Sequence, residues 1–519
     1  MVKKVRSSGN KVKQNKSLLK PINVEMPGLG KRTLPVQDVM IQAQRWLKIG
    51  QSGASINLLR QVTQQVPGFA DAWMMLFTAL HRVSDNEGLL QDTQRCLKAK
   101  PRFVPALTAL ATLKRDNQKH SEALQLIDKA IKLEPSLDEL HNHRGVILKE
   151  IGRTTLALES FKRCLALNPA NSNAIWNRSD MIGALSDEEY QRCLKLASDT
   201  RIDSNQRAKM YYALARSDEA ARNYSVQFEH IQAGADLKRA ASSYQHSAEV
   251  SQIQKTISAF PASTAPLAQE EAASANNDTS TPIFICGLPR SGTTLTEQIL
   301  SSHPDVVAGD ELNDLPLACA KWLARKGIKK SYPDWVSELP TEVWSSIGDA
   351  YLESTLALQN KRFFTDKNLQ NYKAIGLIRK ALPQARIIVC RRNPMDNLWG
   401  CYRQYFADGM LFTYNQEELA DIWNASDKLI QHWQATGKDI FVMDYETLIS
   451  NPSATIQSLL EFVGLSWNEA CLNFHENTRS VSTLSATQVR KPLSSNRIEQ
   501  WKRYEAQLQP MLKRLSVNP

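Results

Sequence analysis

Between residues 36 and 185 the apolar positions recur at helical spacing, and proline interrupts them at a fixed interval. Pro67, Pro101, Pro135 and Pro169 stand 34 residues apart. Other positions keep the same phase. Ala72, Ala106 and Ala174 repeat with Leu140 between them; Leu89, Ala123 and Ala157 form a second series, and Cys96, Ala130 and Cys164 a third. Each unit reads as two amphipathic helices. LQLIDKAIKLEP and LESFKRCLALNP are the second helix of two successive units, each stopped by a proline that cannot continue it. Small Ala and Cys side chains in fixed slots let neighbouring helices approach closely. One such unit cannot bury its apolar face alone, so stacked copies must build a shared core. A weaker helical pattern continues to about residue 255.

After residue 260 the pattern changes. FPASTAPLAQEEAASANNDTST is rich in Ala, Ser, Thr and Pro and reads as a linker. Short apolar runs suited to buried strands then alternate with helical stretches. The strand candidates are 283–286, 363–365, 386–390 and 440–445, an order that predicts a parallel α/β sheet with helices on both faces. The expected organisation is a tail over 1–33, a helical array over 34–258, a linker over 259–281 and an α/β domain over 282–519.

The first strand runs into Gly287 and Gly292, with four residues between them, and then into the helical pattern LTEQILSS. Strand, glycine loop and helix form a phosphate loop, in which backbone N–H groups and the helix N-terminus face an anion. The nucleoside-triphosphatase version requires Lys before its last Ser or Thr. Here Thr293 occupies that place, and Arg290 supplies a cation from within the loop. Triphosphate hydrolysis is therefore disfavoured, while an anion held by amides, hydroxyls and one guanidinium is favoured.

Composition adds less. Apolar residues make up 42% and charged residues 23% of the 519, which is ordinary for a globular chain. The formal charge is +11, yet Lys3, Lys4, Arg6, Lys11, Lys13, Lys16, Lys20, Lys31 and Arg32 against Glu25 place most of it in the first 32 residues. That segment reads as a solvated, disordered tail with no nucleic-acid-binding fold. It has no apolar run behind it, so it is not read as a secretory signal, and no stretch is long and apolar enough for a transmembrane segment. The 8 cysteines are scattered without a CxxC pair, the pattern of reduced thiols in a cytoplasmic protein rather than of a zinc site.

The 34-residue period resembles the tetratricopeptide repeat, with Trp73 and Gly145–Leu148 fitting parts of its consensus. PRSGTTLTEQILSSHPDVVAGDEL resembles the sulfotransferases that use 3′-phosphoadenosine 5′-phosphosulfate (PAPS), most nearly the tyrosylprotein sulfotransferases and the proteins that join tetratricopeptide repeats to such a domain. The resemblance covers about residues 282–505. It implies that Pro289, Arg290, Ser291, Gly292, Thr293 and Thr294 hold the 5′-phosphosulfate. Glu311 corresponds to the catalytic base, and Lys367, in FFTDKNLQN, to a lysine beside the reacting sulfate. Ser485 completes that pocket. Arg392, after the strand ARIIVC, corresponds to the 3′-phosphate arginine. The family's serine eight residues later is Gly400 here, a missing contact that Arg403 is placed to replace. Tyr445 matches an aromatic near the adenine, and Arg490 or Lys491 lies in the segment that closes over the nucleotide.

The resemblance thus implies sulfuryl transfer from PAPS to a hydroxyl of a protein tyrosine or a saccharide, leaving adenosine 3′,5′-bisphosphate, with no metal. Acceptor peptides would bind in the repeat groove, which suits a homodimer interface equally. Two rivals remain open: a tetratricopeptide scaffold whose C-terminal domain is a degenerate nucleotide binder, and a phosphotransferase using another nucleotide.

Overall fold

The computed structural model describes residues 17–261 and 280–517, apart from 29, 84, 408, 438, 482 and 484. Six of the tail's basic residues and most of the linker, 262–279, lie outside the described residues. The chain forms two compact units, 1–171 and 172–519.

In the first unit the repeat phase is visible in the helix starts. Val36–Lys48, Ala70–Arg82, Val104–Asp116 and Asp138–Glu150 begin 34 residues apart, as do Ser52–Gln65, Asn86–Ala99, His120–Leu133 and Thr154–Leu167. The small residues of all three series are buried. Two members of another series show why the prolines keep step. Trp73 Nε1 donates to the Pro67 carbonyl at 2.9 Å, and His141 Nε2 contacts the Pro135 carbonyl at 3.0 Å, one side chain tying each turn to the helix behind it.

The expectation of a disordered tail to residue 33 is overturned for its last part. Pro21–Met26 (β1) and Gly30–Pro35 (β2) pair antiparallel. Ile22, Val24 and Met26 alternate inward onto the first helices, the two-residue period of a half-buried strand. The free edge of β1 is covered by two glutamines one helical turn apart. The Asn23 and Glu25 amides donate to Gln65 and Gln61 at 3.0 and 2.7 Å, and the Gln side chains donate back to the same residues' carbonyls. The hairpin was hidden because its apolar residues are few and sit among the charges.

The second unit is built on five parallel strands, Thr281–Cys286 (β3), Val306–Val307 (β4), Phe363–Asp366 (β5), Arg386–Arg391 (β6) and Ile440–Asp444 (β7), in the order β4-β5-β3-β6-β7. β3 and the middle of β6 are buried on both faces of the sheet, so they read as near-continuous apolar runs. Ile283 and Ile285 point into one core with Ile388 and Met443. Phe284 and Cys286 point into the other with Phe364, Ile387 and Val389. The chain leaves β3 towards β4 on one side and leaves β6 towards β7 on the other. The crevice between the carboxyl ends of β3 and β6 is therefore the topological switch point, where such sheets bind ligands.

The helices Ser172–Ile182, Asp187–Ser198, Ser204–Ala220, Tyr224–Ala240 and His246–Ala259 belong to this second unit, so the expected boundary at 258 is not where the compact unit begins. Their aromatic faces pack directly on the sheet's helices. Phe228 stacks on Trp399 with centroids 6.2 Å apart, Tyr212 donates to the Tyr402 carbonyl, and Phe260 packs on Gly376 and Trp433. Among the described residues no helix is long and apolar enough to cross a membrane. All eight cysteines are free thiols and buried.

Candidate active site

The glycine loop leaves β3 at Gly287 and enters the helix Thr293–Ser301 through Gly292. Gly287 adopts φ +147°, and a Cβ there would lie 2.5 Å from the Cys390 carbonyl at the end of β6. Only glycine lets the two strand ends close so tightly. Arg290 is held left-handed at φ +67°, which turns its side chain out of the loop. Its Nη1 donates to Ser485 Oγ and its Nη2 to Gln488 Oε1, both at 2.9 Å. Burial, with Arg497, Arg392 and Arg403 nearby, lowers this guanidinium to about 10. The loop is anchored from beneath: the Pro289 carbonyl accepts from Asn397 Nδ2 at 2.8 Å and from the Cys401 thiol. Ser291, Thr293 and Thr294 are buried, Thr294 Oγ1 sits 3.3 Å from Thr483 Oγ1, and Ser291 Oγ has no hydrogen-bond partner. A buried hydroxyl left unpaired beside loop amides fits an anion that would accept from it.

The loop helix also fixes a second turn. Glu297 Oε1 accepts from the Asp310 amide at 3.0 Å and from Thr365 Oγ1 at 2.7 Å, while its Oε2 and Asp310 Oδ1 take Arg479 Nη2 and Nη1 at 3.0 and 3.1 Å. Burial favours the neutral form of Glu297, but Arg479 and Lys367 outweigh it and hold the carboxyl low. Asp310 carries the proton of the pair more readily, raised by burial and by Glu297. Asp310 takes φ +56°, and this pinned turn presents Glu311. Lys367, fully buried after β5, donates from Nζ to Glu311 Oε1 at 2.7 Å and from its amide to the Asp310 carbonyl at 2.8 Å. Glu311 itself is 54% exposed, so one partner is fixed and the other faces solvent.

Beside Lys367, Asp366 accepts from Tyr351 OH and Asn371 Nδ2, both at 3.1 Å, and burial pushes its carboxyl up to about 8. An unfolded aspartate titrates near 4. From roughly pH 4 to pH 8 the folded chain keeps a proton that the unfolded chain has released, so this group's contribution falls as pH rises. Asp366→Asn is expected to gain roughly 3 kcal/mol over the parent between pH 6 and pH 9. Melting temperatures of both proteins at the two pH values check this; an equal difference at both would contradict it.

Across the crevice, Arg392 follows β6. It donates from Nη2 to the Arg497 carbonyl at 2.6 Å and from Nη1 to the Arg290 carbonyl at 3.4 Å. Its guanidinium lies 4.6 Å from the ring of Tyr445, and that ring also abuts Gly292. Arg403 donates to Gln500 Oε1 at 3.0 Å and pairs with Glu219. Gly400 faces Arg290 and Arg392; a Cβ there would meet only ordinary contacts of 3.4 Å or more, so the position has room. Arg290, Arg392, Gly400 and Arg403 line one pocket with Trp399, Asp396, Gln488 and Gln500.

The predicted residues thus fall into two groups. Arg290 and Ser485 meet beside the loop, with Arg392, Tyr445 and Arg403 around it, and Glu311 meets Lys367. Arg490 and Lys491 do not join them. Arg490 Nη2 donates to the Arg479 carbonyl, Lys491 is exposed, and neither lines the pocket. Arg216 and Arg497 stand on the pocket wall instead. Arg497 lies in the segment singled out for closure, six residues further on, whereas Arg216 carried no signal because it looks like any polar residue of the helical array. Among the described residues no cluster of three or more His, Cys, Asp or Glu is placed to hold a metal ion.

The model of the Sulfotransferase family matches residues 282–469, and that of the tetratricopeptide repeat matches residues 138–171. Residues 282–469 are therefore similar to the Sulfotransferase family, and residues 138–171 to the tetratricopeptide repeat. An uncharacterized protein of Aquifex aeolicus (strain VF5) is 30% identical over 376 residues, covering 70% of this chain and 48% of that protein, so the chain spans about half the relative's length. Protein-tyrosine sulfotransferase 1 of Danio rerio is 27% identical over 258 residues, 46% of this chain and 72% of that protein. The solved sulfotransferase domain of the Synechococcus PCC 7002 olefin synthase is similar at 22% identity and a TM-score of 0.33, covering 43% of this chain and 88% of that one.

Proposed function

We propose that this protein transfers a sulfuryl group from PAPS to an acceptor hydroxyl. The observation that carries the reading is the loop itself. It has no lysine, it holds a buried unpaired Ser291 hydroxyl, and it sits at the switch point against Arg392. Bound there, the donor would supply an activated sulfuryl group on a phosphate anhydride. The 5′-phosphosulfate would be held by the loop amides between Leu288 and Thr294, Pro289 having none to give, with the Ser291, Thr293 and Thr294 hydroxyls, and the 3′-phosphate by Arg392 with Tyr445 beside the base. Glu311 would remove the acceptor's proton, since a neutral hydroxyl is a poor nucleophile. Lys367, Arg290 and Ser485 would offset the charge that develops on the transferring and leaving oxygens. Lys367 also keeps the Glu311 carboxylate oriented from its buried side.

The acceptor fits a protein or peptide hydroxyl, tyrosine first, because related chains bear that name and tetratricopeptide repeats suit extended partners. A saccharide hydroxyl is the alternative. The scaffold reading draws its support from Gly400, where the expected serine hydroxyl is lacking. A thermal-shift titration separates the two. Adenosine 3′,5′-bisphosphate at 100 times its Kd should stabilise the protein by about 2.7 kcal/mol, with no shift from ATP. A melting temperature indifferent to the bisphosphate would remove the sulfotransferase reading. Incubation with labelled PAPS and a cell lysate then identifies the acceptor fraction.

A further inference from the structure

The pocket beside the loop is larger in charge than the motif accounts for. Five guanidiniums, from Arg216, Arg290, Arg392, Arg403 and Arg497, line it, against the carboxylates of Glu219 and Asp396. Arg216 comes from the helix Ser204–Ala220 and Arg497 from the C-terminal segment, so both lie outside the matched stretch 282–469. Arg216 is held rigidly. Its Nη2 pairs with Asp180 at 2.8 Å and donates to Gln404 Oε1 at 3.2 Å, and its plane lies 4.5 Å from the ring of Trp176.

Fixing a guanidinium so completely would be unremarked in a salt bridge were it not for what is left over. Arg216 Nε, Arg392 Nε and Trp399 Nε1 are all buried donors without a hydrogen-bond partner, and all three residues line this pocket. Trp399 is 2% exposed and the Arg392 side chain 7%. Buried donors are normally paired, because each one left over costs about 1–3 kcal/mol. Arg392 Nε faces Glu446 Oε1 at 4.0 Å, and with Asp180, Glu219 and Asp396 set against the five guanidiniums the pocket keeps an excess of two positive charges, which suits a ligand with several acceptor oxygens and two negative charges.

We infer that Arg216, with Arg497, is a specificity-determining residue for a ribose 3′-phosphate, completing from the N-terminal helices the subsite that Gly400 leaves without a hydroxyl. The inference rests on the donor reading above. It makes the helix Ser204–Ala220 part of the nucleotide site and not only a support for the sheet.

The test is calorimetric titration of the full-length protein with adenosine 3′,5′-bisphosphate and with adenosine 5′-monophosphate, which lacks the 3′ group. Arg216→Gln and Arg497→Gln are compared with the parent. Loss of one charge-assisted contact should weaken the bisphosphate roughly 10- to 100-fold and leave the monophosphate within about two-fold. The ratio of the two affinities is the readout, because a variant damaged in folding loses both together. Arg497→Gln, in an exposed segment, guards against that outcome for the helix variant. An unchanged ratio in both variants overturns the role of Arg216 and Arg497 while the donor reading stands. A parent protein that fails to prefer the bisphosphate overturns both.

Discussion

Glu311→Ala is expected to lower turnover by about 10²–10⁴-fold while adenosine 3′,5′-bisphosphate binds as tightly as before. The carboxylate lies outside the loop, and its fixed partner is Lys367 Nζ. Removing it takes away the proton acceptor and leaves the phosphate-holding groups in place. It also leaves a buried ammonium without its nearest anion, so Glu311→Gln is the companion variant: it keeps a hydrogen-bond acceptor for Lys367 but is no base. Both variants should be inactive, and Glu311→Gln should melt closer to the parent. Initial rates with labelled PAPS, with calorimetry on the same samples, decide the matter. Parental turnover in either variant would show that the proton leaves by another route.

The second large effect is expected at Arg479. Its guanidinium neutralises Glu297 and Asp310, both buried, and its Nε donates to Gln298 Oε1 at 2.8 Å. Arg479→Met would strand two carboxyls in the interior, at a cost of about 3–5 kcal/mol. Adding Glu297→Gln should recover part of this, since a buried pair replaced as a pair costs far less than one broken. Urea unfolding of the single and double variants measures both. A single variant within about 0.5 kcal/mol of the parent would mean that the cluster contributes little. The local consequence matters as much. Arg479 anchors the start of the segment that brings Thr483, Ser485 and Gln488 to the loop, so nucleotide binding should weaken with it.

How much of this could be read beforehand differs by residue. The repeat was legible because a 34-residue period repeats the same demand, a small residue where two helices cross, and the helix starts keep that period. The loop was legible because Gly287 and Gly292 satisfy backbone needs that no other residue meets, and Thr293 in place of lysine narrowed the ligand. Glu311 and Lys367 were legible only through the family resemblance; nothing in HPDVVAGDEL or FFTDKNLQN alone distinguishes them from surface charges. Other features depend on tertiary contact and left no local trace. Amphipathic patterning shows that Tyr212 and Phe228 face a core but not which one, so the boundary fell at 258 and the helices Ser172–Ala259 were assigned to the array. The same blindness hid Arg216. Glu297 reads as one polar residue in a short helix, and its burial emerges only when Arg479, 182 residues later, is folded against it. β4 is two residues long and pairs only with β5 at the sheet edge, too short for any periodicity to register.

The glutamine clamp on β1 has a further result. An unpaired strand edge is a template on which another chain can build, and a stack of repeats ending in one would invite polymerisation. Gln61 and Gln65 imitate a neighbouring strand with side-chain amides, satisfying the Asn23 and Glu25 backbone groups without offering an outer edge of their own. The β1 edge is thereby closed by side chains instead of by another strand, and Gln61→Ala with Gln65→Ala would leave the Asn23 and Glu25 backbone groups open to pairing with another chain.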